Sequence, residues 1–283
     1  MPSSPEEKIK KLGKKLGANL VGIASVEDIN KYAPEGHRPD DLLMGAKSAI
    51  VFAGQLTPKG AWHSKGYQVH HVNRSFGIPY RNRIAFDVAL YIEEKYGYYS
   101  ALSSGGNISA KLCAEMAGMG TRSMAAGIVL NKDWGLLNFG VTITTMPLKP
   151  DGMIEEQVCP HPLCVKRWEK EGTTFCLDTC PECLTGGIED GRIKWMRFNR
   201  HVCATRAQTR SINSFQRTLL EAINEPDLEK RKSIIMGTFF GSVVNTVSTA
   251  NSMGQCGECL RGCPICVKAR TLKPKWRPGD PDK

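Results

Sequence analysis

LLNFGVTITTMPLKPDGM, residues 136–153, runs as a stretch rich in β-branched residues into two prolines and a glycine. Its first part, through Leu148, reads as a strand, because such residues suit the pleated, half-buried surface of a sheet. Its second part, MPLKPDGM, reads as a domain boundary, because two prolines and a glycine punctuate the chain. The sequence changes character there. Upstream, helix and strand alternate: residues 5–16 have the spacing of an amphipathic, lysine-rich helix, and LVGIA (20–24) suits a short buried strand. A Pro/Gly/His-rich loop (33–41), a strand SAIVFAGQL (48–56) and a helix from about Arg81 to Lys95 come next. The SSGG turn at 103–106, a helix over 108–118 that ends at glycine, and a strand IVLN (128–131) complete the series. This alternation predicts an α/β fold over residues 1–152, followed by a second domain over 153–283.

Composition narrows the chemistry. A chain of 283 residues buries a substantial core without covalent help. Its N-terminus, MPSSPEEKIKKLGKKLG, shows no apolar signal core and no twin arginine, and no run approaches the roughly 20 apolar residues that span a bilayer. The expectation is a cytoplasmic protein with no membrane span. In that reducing compartment, eleven cysteines point to metal binding or catalysis rather than to disulfides.

All but one of those cysteines lie after residue 158, Cys113 being the exception. They run Cys159-x4-Cys164-x11-Cys176-x3-Cys180-Pro181, then Cys183 and Cys203, then Cys256-x2-Cys259-x3-Cys263-Pro264 and Cys266. In bacterial two-cluster ferredoxins, three closely spaced cysteines hold one 4Fe-4S cluster and the cysteine before proline reaches the other. Two Cys-Pro endings therefore suggest two clusters. Cys159, Cys164, Cys176 and Cys263 fall to one; Cys180, Cys203, Cys256 and Cys259 fall to the other. Cys113, Cys183 and Cys266 remain as buried thiols. Two rival readings use the same residues: Cys176-x3-Cys180-x2-Cys183 has radical-enzyme spacing, and four-cysteine zinc sites also use C-x2-C pairs. A bare ferredoxin has no need of a long α/β domain, so that domain is expected to exchange electrons with the clusters.

LGANLVGIA (16–24), LLMGAKSAIVFAGQL (42–56), AEMAGMGTRSMAAGIVLNKDWGLLNFGVTITTMPLKPD (114–151), CLDTCPECLTGGI (176–188), RHVCATR (200–206) and CGECLRGCPIC (256–266) occur in an order similar to that of a known family. The chain resembles the cobalamin-dependent, two-cluster reductases, epoxyqueuosine reductase and the reductive dehalogenases. That resemblance implies a nitroreductase-like, corrinoid-binding domain before a ferredoxin-like one. Residues at about 204–255 read as a helical insertion between ligands that matches neither subfamily. It implies an oxidoreductase in which two 4Fe-4S clusters deliver electrons to a cobalamin. Residues 114–140 would lie around the corrinoid, with Gly118 and Gly120 admitting the macrocycle and Thr121, Arg122 and Ser123 bonding its rim.

The chain also departs from the family. Where epoxyqueuosine reductases carry an aspartate implied to donate a proton, this sequence reads LSSGGN, which puts Ser103 or Ser104 there. A serine hydroxyl is a poor acid near neutral pH. The dehalogenases are implied to use a tyrosine, and Tyr98 and Tyr99 lie just upstream. His70, His71, Arg74 and Arg81 are further candidates for contact with a ligand. Two alternatives remain: an electron-transfer protein that activates the corrinoid of a partner, or a flavin (FMN) in the same pocket. A net charge of +10 suits an acidic donor such as flavodoxin or ferredoxin, an acidic corrinoid protein, or a tRNA.

Overall fold

The computed structural model describes residues 4–55, 58, 67–103, 107–203 and 215–237. Helix α1 (Pro5–Lys15) begins at a reciprocal cap: the Ser4 hydroxyl accepts the Glu7 N–H at 3.2 Å, and the Glu7 carboxylate accepts the Ser4 N–H at 3.1 Å. Strand β1 (Leu20–Ser25), helices α2 (Val26–Asn30) and α3 (Pro39–Leu42) and strand β2 (Ser48–Gln55) come next. Helix α4 (Tyr67–Tyr96), strand β3 (Ser100–Ser103), helix α5 (Ala110–Met116) and strands β4 (Thr121–Arg122), β5 (Val129–Asn131) and β6 (Gly135–Thr144) complete the main sheet.

The strand order is β1-β2-β6-β5-β4, with β3 also on β6, and every pairing is antiparallel. Strand β6 is the hub. Along one side Leu137–Thr144 pairs with β2; along the other, Val141–Thr144 pairs with β3 and Gly135 and Leu136 pair with β5. Helices cover both faces of this sheet. Ile50 and Phe52 of β2 pack with Ile9 of α1 and with Ile84, Val88 and Ile92 of α4. Ala49, Val51 and Ala53 face the other way, toward Ile29 of α2 and Cys113 and Ala114 of α5. Burial on both sides explains why SAIVFAG is a continuous apolar run instead of an alternating one. Each large side chain so enclosed contributes about 1.5–3 kcal/mol.

Helix α4 begins fourteen residues before the start predicted at Arg81 and runs through Pro79. The sequence points to a start after Pro79 because proline removes a helical hydrogen bond. Pro79 is exposed, so its ring projects toward solvent and not into the sheet. Just beyond it, Arg81 is buried, and its Nη1 donates to the Gly17 carbonyl at 2.8 Å. Its guanidinium lies on Gly54, where a Cβ would fall 2.0 Å from Cζ, and its carbonyl lies over Gly140. Two missing side chains in the sheet thus make the seat for α4.

Asp151, inside the stretch read as a boundary, closes the outer edge of β1. Its N–H donates to the Ile23 carbonyl at 2.9 Å, its carboxylate accepts the Ile23 N–H at 2.7 Å, and it pairs with Lys10. An edge strand left open would invite pairing with other chains.

Beyond it come α6 (Pro162–Glu171), α7 (Phe175–Thr179) and a hairpin of β7 (Leu184–Glu189) and β8 (Arg192–Phe198). Asp190 and Gly191 turn that hairpin with φ of 50° and 72°, the two left-handed residues of a tight turn. By internal contacts, the chain through Cys180 and Leu184–Arg197 belong to one compact unit. Pro181–Cys183 and the described residues from Phe198 onward belong to another, in which α8 (Phe215–Asn224) packs on α9 (Leu228–Ile235). These two helices fall in the stretch expected as a helical insertion. Cys256, Cys259, Cys263 and Cys266, on which the ferredoxin-like expectation rests, lie outside the described residues. Among the described residues no helix is long and apolar enough to cross a membrane.

Candidate functional site

Three of the cysteines read as cluster ligands gather in the first unit. Cys164 stands in the first turn of α6 and donates its N–H to the His161 carbonyl at 2.8 Å. Cys176 lies in α7, and the Cys180 N–H closes that helix on the Cys176 carbonyl at 3.2 Å. Arg167 holds the two helices together, reaching Glu171 from Nε and Asp178 from Nη2, both at 2.8 Å. Cys159 lies just ahead of α6. Burial pushes its thiol pKa up, the Met124 N–H works against that, and the neighbouring Cys176 and Cys164 push it up further.

Two polar groups lie beside these sulfurs. The Met124 N–H donates to Cys159 Sγ at 3.5 Å, and the Thr174 hydroxyl lies 3.3 Å from Cys176 Sγ. Cysteine sulfurs are the donor type that iron-sulfur clusters use. Among the described residues, no three His, Cys, Asp or Glu side chains come together in a group that could hold a metal ion. The fourth ligand expected for this cluster, Cys263, is outside the described residues, as are Cys256 and Cys259. Cys180 ends α7, and Cys203 lies in the second unit. None of the described cysteines is in a disulfide.

The five residues expected around a corrinoid divide into two groups. Gly118 has φ of 68°, and a Cβ there would lie 2.7 Å from the Gly152 carbonyl oxygen; at Gly120 it would lie 2.1 Å from that of Leu130. Both glycines therefore admit this chain's own backbone. Thr121 is buried, and its hydroxyl accepts the Val158 N–H at 2.9 Å. Ser123 and Arg122 retain capacity. The Ser123 hydroxyl is buried without a partner, and Arg122 donates from Nε to Glu115 at 2.7 Å and from Nη1 to the Gly127 carbonyl at 3.1 Å, leaving Nη2 over. These two donors fit the carboxamide groups on a corrin rim.

Arg122 and Glu115 also line an open groove of about 510 Å³ with Tyr32, Leu112, Met116 and Met153. That volume lies in the range of small-molecule sites and is too small to enclose a corrinoid with its side chains. Sequence reasoning missed this groove, because Tyr32 and Met153 come from loops that carry no motif.

The residues considered for proton donation lie elsewhere. Tyr98 packs at the margin of the core beneath α4, and the Tyr99 carbonyl accepts the Thr145 N–H at 3.0 Å and the Thr144 hydroxyl at 2.9 Å. Ser103 ends β3 opposite Val141, with its hydroxyl buried and unpartnered. Ser104 lies outside the described residues. His70, His71 and Arg74 fall within α4, whereas adjacent histidines in a sequence more often point to a loop.

No protein-family model matches the chain, and no curated protein matches it significantly. Among solved structures it is similar to a reductive dehalogenase described as suggesting a mechanism for B12-dependent dehalogenation. That likeness has a TM-score of 0.50 at 17% identity, over 88% of this chain and 37% of that one. It is also similar to epoxyqueuosine reductase from Streptococcus thermophilus, with a TM-score of 0.45 at 16% identity over 82% and 62% of the two chains. A third likeness, to epoxyqueuosine reductase with a tRNA-Tyr stem loop, has a TM-score of 0.39 at 16% identity over 57% and 50%. Scores as low as these last two carry no structural argument. The chain spans about half the length of the first epoxyqueuosine reductases it matches, 50% and 51%. What the comparisons establish is a fold: a mixed, antiparallel-sheet architecture similar to that of a B12-dependent reductive dehalogenase.

Proposed function

We propose that this chain is an oxidoreductase whose two 4Fe-4S clusters pass electrons singly to a corrinoid associated with the N-terminal domain. The observation that carries this reading is the hydrogen bond from the Met124 N–H to Cys159 Sγ at 3.5 Å. Met124 belongs to the segment whose sequence resembles the corrinoid-lining stretch of the family, and Cys159 belongs to the first ligand set. One short contact therefore joins the two expected redox sites. When bound, a corrinoid supplies low-valent cobalt chemistry to which the protein adds position and electrostatics.

The chain's own residues then have separable tasks. Cys159, Cys164 and Cys176, with Cys263, hold one cluster; Cys180, Cys203, Cys256 and Cys259 hold the other. Arg122 and Ser123 orient the corrinoid rim. The groove beside the Arg122–Glu115 pair takes a substrate with an apolar body and a polar end. Tyr98, Tyr99 and Ser104 stay as candidate proton donors. The basic surface favours encounter with an acidic electron donor of the flavodoxin or ferredoxin type, and a tRNA substrate suits the same charge.

A second reading has its own support. Gly118 and Gly120 close on this chain's backbone, which favours clusters that serve a corrinoid carried by a partner protein. Anaerobic reconstitution with iron, sulfide and cobalamin, then metal analysis and EPR, separates the two. About eight irons per chain with a bound-corrinoid signal supports the first reading. The same iron without cobalamin supports the second or a flavin enzyme, and half the iron, or zinc, removes the two-cluster assignment.

A further inference from the structure

Arg122 of β4 and Glu115 of α5 meet in the wall of the groove of about 510 Å³. Arg122 Nε donates to Glu115 Oε2 at 2.7 Å and Nη1 donates to the Gly127 carbonyl at 3.1 Å, so the guanidinium is held at two points. Its charge is already met by a carboxylate whose side chain is only 18% exposed. Among the described residues nothing takes Arg122 Nη2 or Glu115 Oε1, so the pair offers a donor beside an acceptor. Ser109 adds a second donor: its hydroxyl accepts the Leu112 N–H at 3.3 Å and keeps its proton for another partner. The rest of the lining suits a ring. Tyr32, 70% exposed, gives a free aromatic face, and Met116 and Met153 give polarizable thioethers.

We propose that this groove binds an uncharged aromatic carboxamide or lactam and discriminates against the matching carboxylate. This rests on the reading of the groove as a substrate site and needs no metal centre. A carboxamide carries one acceptor and one donor side by side and answers both open atoms of the pair. A carboxylate carries acceptors only; it meets Arg122 but sets a second negative charge against Glu115, with no proton to give Oε1. Because Glu115 is largely sheltered from solvent, salt does little to relieve that repulsion. Arg122 Nη2 has two protons, so a ligand in the groove leaves one for the contact proposed with a corrin amide.

The test is an NMR titration of the anaerobically purified full chain with benzamide in about 0.15 M salt, followed by competition with benzoate. Competition confines the comparison to one site, which matters on a chain of net charge +10. The dissociation constant of benzoate is expected to exceed that of benzamide about tenfold. Glu115→Gln removes the negative charge and is expected to bring the two constants together or to reverse their order. Tyr32→Ala is expected to weaken benzamide about threefold. At so exposed a side chain it leaves the fold alone, so it still decides if Glu115→Gln fails to fold. Benzamide that does not saturate, equal constants in the wild-type chain, a preference that survives Glu115→Gln, or binding indifferent to Tyr32→Ala each overturn the proposal. Iron and cobalamin assayed on the same sample keep the two readings apart: a chain that holds neither but prefers benzamide retains this site and loses the redox assignment.

Discussion

At Gly120 the space that a side chain would fill is already taken by the Leu130 carbonyl oxygen, 2.1 Å from an added Cβ. A backbone neighbour cannot swing aside as a flexible side chain can. Gly120→Ala is therefore expected to destabilise the chain by about 3 kcal/mol even without any cofactor, as read from urea melts of the cofactor-free protein. An unchanged midpoint of unfolding would mean that this glycine serves only a ligand. Cys113 makes a second single-residue test. Its thiol is buried in the core between α5 and the sheet, and burial pushes its pKa up to about 12. Because the folded state holds this proton more tightly than the unfolded chain, the contribution is complete below about pH 8.5. It is lost as pH rises toward 12, at about 1.4 kcal/mol per pH unit. Cys113→Ala should flatten that alkaline fall in thermal stability, and native alkylation near pH 8 should leave Cys113 unmodified.

Among the elements, the strands buried on two faces were the most legible. LVGIA and SAIVFAGQL stand almost where their apolar runs put them, because burial on both sides leaves no polar position to blur the pattern. The α5 segment was legible through its terminal glycine, Gly118, whose left-handed conformation ends the helix. Other elements were hidden by chemistry that points two ways. Pro79 signals a break yet lies in a helix, and LTGGIEDGRIKWMRF conceals the β7–β8 hairpin behind glycines that a strand seldom tolerates. Of the candidate site, the spacing suggested a Cys159–Cys164–Cys176 ligand set, but no metal-holding group of three appears among the described residues. The commitment of Gly118, Gly120 and Thr121 to this chain's own backbone was not legible, since their partners at 152, 130 and 158 are distant in sequence. The edge of β1 offers the test at this scale. Asp151→Ala removes the acceptor for the Ile23 N–H and the partner of Lys10. Exposed in part, these bonds should contribute about 1–2 kcal/mol. The loss should appear as faster amide exchange at Ile23 and as a lower unfolding midpoint.

For the molecule as a whole, a net charge of +10 governs encounters more than it governs folding. Under the proposed function, association with an acidic flavodoxin-type donor should slow about tenfold between roughly 0.01 M and 0.15 M salt, as the screening length shortens from about 30 Å to about 8 Å. Stopped-flow cluster reduction at several salt concentrations measures this, and a flat profile would remove charge as the steering force. The hub position of β6 bears on how the protein comes into being. Ser48 has to wait for Thr144, and Leu137 for Gln55, before the two central strands can join. On the ribosome, β1 and β2 emerge early as a pair with one side unclaimed, and β3 follows without its neighbour. The sheet can form only in one late step, once the chain through Thr144 is free of the exit tunnel. Pairings this remote in sequence slow folding. Stalled nascent chains should therefore stay open to protease while β6 is inside the tunnel and become resistant, all strands together, when it leaves.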